Sequence, residues 1–245
     1  MPRQRHSEAV ALKMQLSTSR SRTGLLARIH IALTAGVVVF AALAVQARHH
    51  HAATNRSGQA GQFDYYVLSL SWAPTYCLTH TDDSEECSGK GYGFVLHGLW
   101  PQFDAGGYPE KCATQFKLSA DAAAKGRTPY PSERLMQHEW LEHGTCSGVD
   151  AREYFNTADR ATAAIKIPTA METPRSNQSL TAERIANLFQ ATNPQLSEGA
   201  MTLTCNRAEL SEVRFCLTRD LKPRSCGRGV HSNCPRVPLN IPASR

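Results

Sequence analysis

Eight cysteines constrain this chain more than any other feature, and all of them lie beyond position 76: Cys77, Cys87, Cys112, Cys146, Cys205, Cys216, Cys226 and Cys234. No Cys-x-x-Cys pair occurs among them, so the spacing of structural zinc sites is missing. An even count with no odd thiol left over implies four disulfides and an oxidising compartment. The same reasoning speaks against a catalytic Cys146 beside His143. Eight cysteines can pair in many ways, and spacing alone selects none of them.

What precedes the cysteines is consistent with export. A cationic stretch ends at Arg28, an apolar run extends from Ile31 to Val45, and Val45-Gln46-Ala47 offers small residues for cleavage, the layout of a secretory signal. The run is 15 residues long. A bilayer span needs about 20, so no stable membrane anchor is expected. Residues 1–47 therefore read as a leader, with Met14 as an alternative start. Residues 48–61, including His49, His50 and His51, read as a flexible tail.

The leader also explains the charge. The chain carries 27 Lys+Arg against 21 Asp+Glu. Six of those basic residues but only Glu8 among the acidic ones fall in residues 1–47, so the exported part is nearly neutral. A basic coat that grips phosphates by counterion release is excluded, and any phosphate chemistry must come from a local site.

No internal repeat or low-complexity linker interrupts residues 62–235, which read as one domain, with 236–245 as a C-terminal tail. From Phe63 to Trp72 the chain alternates, setting Tyr66, Leu68, Leu70 and Trp72 on one side and Tyr65, Val67, Ser69 and Ser71 on the other. That pattern predicts a strand buried on one face. Gly91–Leu96 predicts a second strand, with His97 at its end before a Gly and Trp-Pro turn. Helical spacing covers Ser132 to about Thr145, Asp150–Ile165 and Thr181–Thr192, and strands are expected at Met201–Cys205 and Val213–Thr218. Helices inserted among non-repeating strands predict an α+β fold, a central antiparallel β-sheet packed with several α-helices in a single disulfide-stapled domain.

The segment His138-Glu139-Trp140-Leu141-Glu142-His143 carries the most chemistry. At about 100° per residue His138, Glu142, Glu139 and His143 fall within about 140° of one another, and Trp140 and Leu141 fall outside that arc. A solvated helix face above an apolar stripe is one reading. Two histidines with two carboxylates beside that stripe favour a site. A zincin is excluded, because its histidines stand four apart and these stand five apart. His97 alone would be structural, but its place at a strand end before a turn makes it a second candidate.

Together these segments resemble a known family. Phe94-Val-Leu-His97-Gly-Leu-Trp100-Pro101 and His138-Glu139-Trp140-x-x-His143-Gly144-Thr145-Cys146 are similar to the two active-site segments of the ribonuclease T2 family, the acid, transferase-type endoribonucleases. The likeness runs from Phe63 to Cys234, and Ser147-Gly148, Tyr154-Phe155 and Leu180-Thr181-Ala182-Glu183 resemble its bacterial branch. The resemblance implies single-stranded RNA as substrate, no metal and no cofactor, a 2′,3′-cyclic phosphate intermediate opened to a 3′-phosphate, and a periplasmic or secreted monomer. Imidazoles with an ordinary pKa of about 6.5 can act as both acid and base in such a transfer. His143 then resembles the general base, His97 the general acid, His138 a phosphate-positioning group and Glu139 a partner of the imidazoles. Trp100 would stack on a base, helped by Phe103 and Tyr108. The resemblance also implies bridges Cys112–Cys146, Cys205–Cys234 and Cys216–Cys226, leaving Cys77 with Cys87.

One position departs from the family. Glu142 stands where a lysine is usual, at the edge of the substrate site. A carboxylate there is expected to raise the pKa values of His138 and His143 and to oppose charge on phosphorus. Its alternative is to turn outward into a salt bridge. The departure also implies a second function, a weakly active or inactive relative that binds RNA or protein.

Overall fold

The computed structural model describes residues 58–113 and 117–244. The leader and the three histidines after it lie outside the described residues, and among those described no helix is long and apolar enough to cross a membrane. The strands are β1 (Tyr65–Trp72), β2 (Phe94–Gln102), β3 (Gln178–Leu180), β4 (Met201–Asn206), β5 (Glu209–Leu217) and β6 (Leu239–Ile241). The helices are α1 (Ala73–Tyr76), α2 (Ser84–Cys87), α3 (Ala120–Gly126), α4 (Glu133–Glu142), α5 (Ala151–Ala163) and α6 (Ala182–Thr192). All six strands form one sheet in the order β2-β1-β5-β6-β3, with β4 also paired to β5. Its ladders are antiparallel except for β5 and β6, which run parallel where Glu209 meets Asn240.

The sheet has two unlike faces. Tyr66, Leu68, Leu70 and Trp72 of β1 join Val213 and Phe215 of β5 beneath Met136 of α4, Tyr154 and Phe155 of α5, and Ile185 and Phe189 of α6. These helices present apolar residues one turn apart to the sheet, and each begins at a side-chain cap. Ser132, Asp150 and Thr181 accept from the amides of Leu135, Glu153 and Arg184. Truncating a fully buried ring such as Phe155 or Phe215 would cost about 3–5 kcal/mol.

On the other face Tyr65, Val67 and Cys216 form a smaller cluster with Trp100, Cys226 and Val230. β1 is thus buried on both faces, not on one as its alternation predicts, because β2 and β5 flank it and Trp100 and the 226–230 segment cover its second face. The expected tail also belongs partly to the fold. Leu239 and Ile241 are fully buried in β6, and Asn240 donates its amide to the Ala208 carbonyl. At the other boundary Gly61 of the expected flexible segment donates its amide to the Cys146 carbonyl. Short strands of three residues carry too little periodicity to be read in advance.

Four disulfides pin the loops: Cys77–Cys87, Cys112–Cys146, Cys205–Cys234 and Cys216–Cys226. The bridge from Cys112 closes a separation of 34 residues and ties the segment after β2 to the end of α4. In the chain-entropy picture such a loop contributes on the order of 3–4 kcal/mol.

Candidate active site

His97 lies inside β2, which continues to Gln102, and not at a strand end. In the β1–β2 ladder Ser69 faces Gly98 and Leu70 faces Leu96, so His97 is the extra residue of a β-bulge. A bulge bends the strand and re-aims the side chain. It brings His97 to Glu212, two strands away on β5, whose Oε1 lies 2.5 Å from Nδ1. The other nitrogen, Nε2, lies 3.7 Å from Oε1 of Glu139.

Glu212 is bound at both oxygens. Its Oε2 accepts from Nε of Arg214 at 2.7 Å and lies 2.6 Å from Nη2 of the same guanidinium. Residues two apart in a strand share a face, so β5 presents the acid and the arginine side by side across from Ser71 and Ser69 of β1. Arg214 in turn places its guanidinium carbon 5.0 Å from the Trp100 ring centroid.

The second half of the site comes from α4. Its buried positions are Met136 and Glu139, which places His143, one turn after Glu139, on the inward side and leaves His138 exposed. Glu139 accepts from Nε1 of Trp100 at 2.6 Å through Oε2. Gly98 makes this approach possible, since a Cβ there would overlap both Glu139 Oε2 and Trp100 Nε1. The helix stops at His143, whose φ is −122°, and a 3₁₀ turn follows at Gly144–Cys146. The amide of Lys111 caps the Glu142 carbonyl, and the Thr145 hydroxyl donates to the Leu141 carbonyl.

Trp100 is the hub of these groups. The His97 ring centroid lies 5.1 Å from it and the His143 centroid 5.5 Å. The Tyr108 ring stands 5.7 Å from His143 and is exposed. Trp100, Tyr108, His143, Arg214 and Arg228 line one open cleft of about 400 Å³. His97 reaches solvent next to Trp100, its side chain 33% exposed. Among the described residues no group of three or more His, Cys, Asp or Glu side chains is arranged to hold a metal ion.

The charges are unevenly distributed. Burial acts to lower the pKa of His97, but the hydrogen bond and charge of Glu212, together with Glu139, outweigh it and leave it raised. Burial pushes Glu212 upward, yet His97 and Arg214 bring its carboxyl down to about 2. Burial raises Glu139 to about 7 despite the opposing pull of His97 and Trp100. His143 is lowered to about 3 by burial, with His138 and His97 adding to the effect, and its buried Nδ1 has no hydrogen-bond partner among the described residues.

The structure therefore gathers His97, Glu139 and His143 around Trp100, with Tyr108 at the cleft wall. Three expectations change. His138 does not share the inward face, because α4 is rotated to bury Met136 and Glu139. Phe103 packs against the main core and does not line the cleft. Glu142 does not raise His143, whose pKa falls; its carboxylate instead pairs with Lys111 Nζ at 3.3 Å. Sequence reasoning also misses Glu212 and Arg214. The available signal is two opposite charges, two residues apart, within a strand that runs on as Phe215-Cys216-Leu217.

The Ribonuclease T2 family model matches residues 63–226. A ribonuclease of Aeromonas hydrophila is 43% identical over 106 residues, which are 43% of this chain and 48% of that protein. The chain thus spans about half the length of that relative. Ribonuclease I of Escherichia coli is 28% identical over 208 residues, covering 66% of this chain and 78% of its own. Among solved structures, an RNase-related protein from Calystegia sepium superposes with a TM-score of 0.61 at 22% identity, covering 75% of this chain and 98% of that one. RNase NT, solved in complex with 5′-AMP, superposes with a TM-score of 0.60 at 24% identity, covering 74% of this chain and 99% of its own.

Proposed function

Since this chain belongs to the ribonuclease T2 family, in its bacterial branch, we propose that it is an endoribonuclease that cleaves single-stranded RNA by His-based transfer to a 2′,3′-cyclic phosphate. The observation that carries this reading is the pair of oppositely tuned imidazoles at one indole ring. In-line transfer needs a group that takes a proton from the attacking oxygen and a group that gives one to the leaving oxygen. His143, held neutral, takes the proton of the ribose 2′-hydroxyl as the 2′-oxygen to phosphorus bond forms. His97, held protonated, gives its Nε2 proton to the 5′-oxygen as that oxygen's bond to phosphorus breaks. Water then opens the cyclic ester with the two roles reversed, leaving a 3′-phosphate.

Each neighbour has a part in this scheme. Glu212 holds Nδ1 of His97, which fixes the ring and turns Nε2 into the transferable site. Glu139 restrains Trp100 through its indole N–H and faces Nε2 of His97. A substrate phosphate brought beside His143 adds negative charge that raises its pKa and strengthens it as a base. Tyr108, exposed at the cleft wall, offers a ring for base stacking, worth about 1–3 kcal/mol per base. Four disulfides suit an oxidising location, and we place the protein in the periplasm or outside the cell.

The test is digestion of homopolymeric RNA in the presence of EDTA, with products identified by ³¹P NMR. The proposal expects cyclic phosphates first and 3′-phosphates later. Products ending in 5′-phosphate, or cleavage abolished by EDTA, would contradict it.

A further inference from the structure

We propose that Arg214 is a catalytic residue that binds the scissile phosphate and supplies the positive charge that the last turn of α4 lacks. The inference rests on the ribonuclease reading above and names a group for the same reaction. Charge builds on the non-bridging oxygens of phosphorus in the transition state, and a fixed cation there stabilises it. Glu142 cannot serve, since it is negative and engaged by Lys111.

Arg214 meets the requirements in position, access and restraint. It lines the same cleft as His143 and Trp100, and its side chain remains 30% exposed. The guanidinium lies over the indole that also contacts both histidines. Glu212 engages Nε and Nη2 and leaves the Nη1 amine free of that contact. An arginine keeps its charge at every working pH and offers a planar fork that matches phosphate oxygens. One carboxylate thus orients two groups: through Oε1 it holds the proton donor His97, and through Oε2 the phosphate cation. Their spacing is set by a single side chain on a rigid strand.

The test uses a dinucleoside monophosphate, whose only phosphate is the scissile one, and the full chain carrying Arg214→Gln or Arg214→Lys. Arg214→Gln is expected to lower kcat/KM by about 10²–10³-fold, and Arg214→Lys to recover at least a tenth of the wild-type value. The falling limb of the pH profile should not move to lower pH, because Arg214 opposes protonation of His97 and its removal acts the other way. Losses under threefold in both variants with unchanged circular dichroism would overturn the inference. So would a loss seen with polymeric RNA but not with the dinucleotide, or one that comes wholly from a limb shifted to lower pH, which would mean that Arg214 acts through His97. Wild-type protein that cleaves neither substrate would instead sink the ribonuclease reading itself.

Discussion

His97 and His143 contact the same indole ring at 5.1 and 5.5 Å, yet their surroundings shift their pKa values in opposite directions. His97 emerges from a sheet bulge between two carboxylates, and these overcome the penalty of its burial. His143 ends a helix, where the dipole favours an imidazolium by about 0.3–1 kcal/mol. That is less than one pKa unit. Burial, with Nδ1 unpartnered among the described residues, outweighs it together with the neighbouring His138 and His97 and brings His143 to about 3. In the proposed mechanism the same side chain serves as acid or base according to which element delivers it and what that element packs against.

The largest effect expected from breaking this comparison comes from removing either member. His97→Ala and His143→Ala should each lower turnover by about 10²–10⁴-fold. The double variant should be little worse than either single one, because both groups act in one transition state. Single-turnover rates with circular dichroism on each variant check this, and losses under tenfold in both would remove the acid and base roles.

Next in size is removal of the carboxylate that distinguishes the two rings. Glu212→Gln withdraws the charge that raises His97, so its pKa falls. The acid must be protonated, and activity is lost as pH rises through its pKa. The falling limb should therefore move to lower pH, each unit of displacement costing about tenfold in rate on its alkaline side. A pH profile of kcat/KM that keeps its falling limb would show that Glu212 does not hold the acid.

A smaller disturbance strikes the hub. Gly98→Ala forces a methyl group against Glu139 and Trp100 and should destabilise the fold by about 1–3 kcal/mol, read by thermal or urea unfolding. Activity should fall further than stability alone explains, because the contact that restrains Trp100 is displaced.

The smallest effect belongs to Glu142→Lys. The carboxylate meets an exposed Lys111, and such pairs contribute about 0–1 kcal/mol. Turnover should change by less than about threefold. A large increase with the rising limb shifted to lower pH would mean that position 142 addresses the reacting phosphate after all.

How much of this was legible in the sequence follows the range of the interactions. His97, Glu139 and His143 were visible because each sits in a compact local pattern. The strands at β1, β2, β4 and β5 and helices α4 to α6 announced themselves by period and caps. The bulge at His97 was invisible, since a register shift depends on the partner strand. Glu212 lies 115 residues from His97 in the chain, and only the pairing of β5 with β1 makes them neighbours. The face of α4 was misjudged because the polar residues were grouped by mutual angle, whereas the packing of Met136 sets the rotation and carries Glu139 inward with it. The disulfide pairing came from family resemblance and not from spacing.

The most direct test of the central claim is an NMR titration of the histidine rings in the free protein. Signals are assigned to His97 and His143 by comparison with His97→Gln and His143→Gln. His97 is expected to titrate above the ordinary value of about 6.5, while His143 stays neutral on acidification until about pH 3. Two rings titrating together near the ordinary value, or His143 gaining its proton before His97, would contradict it.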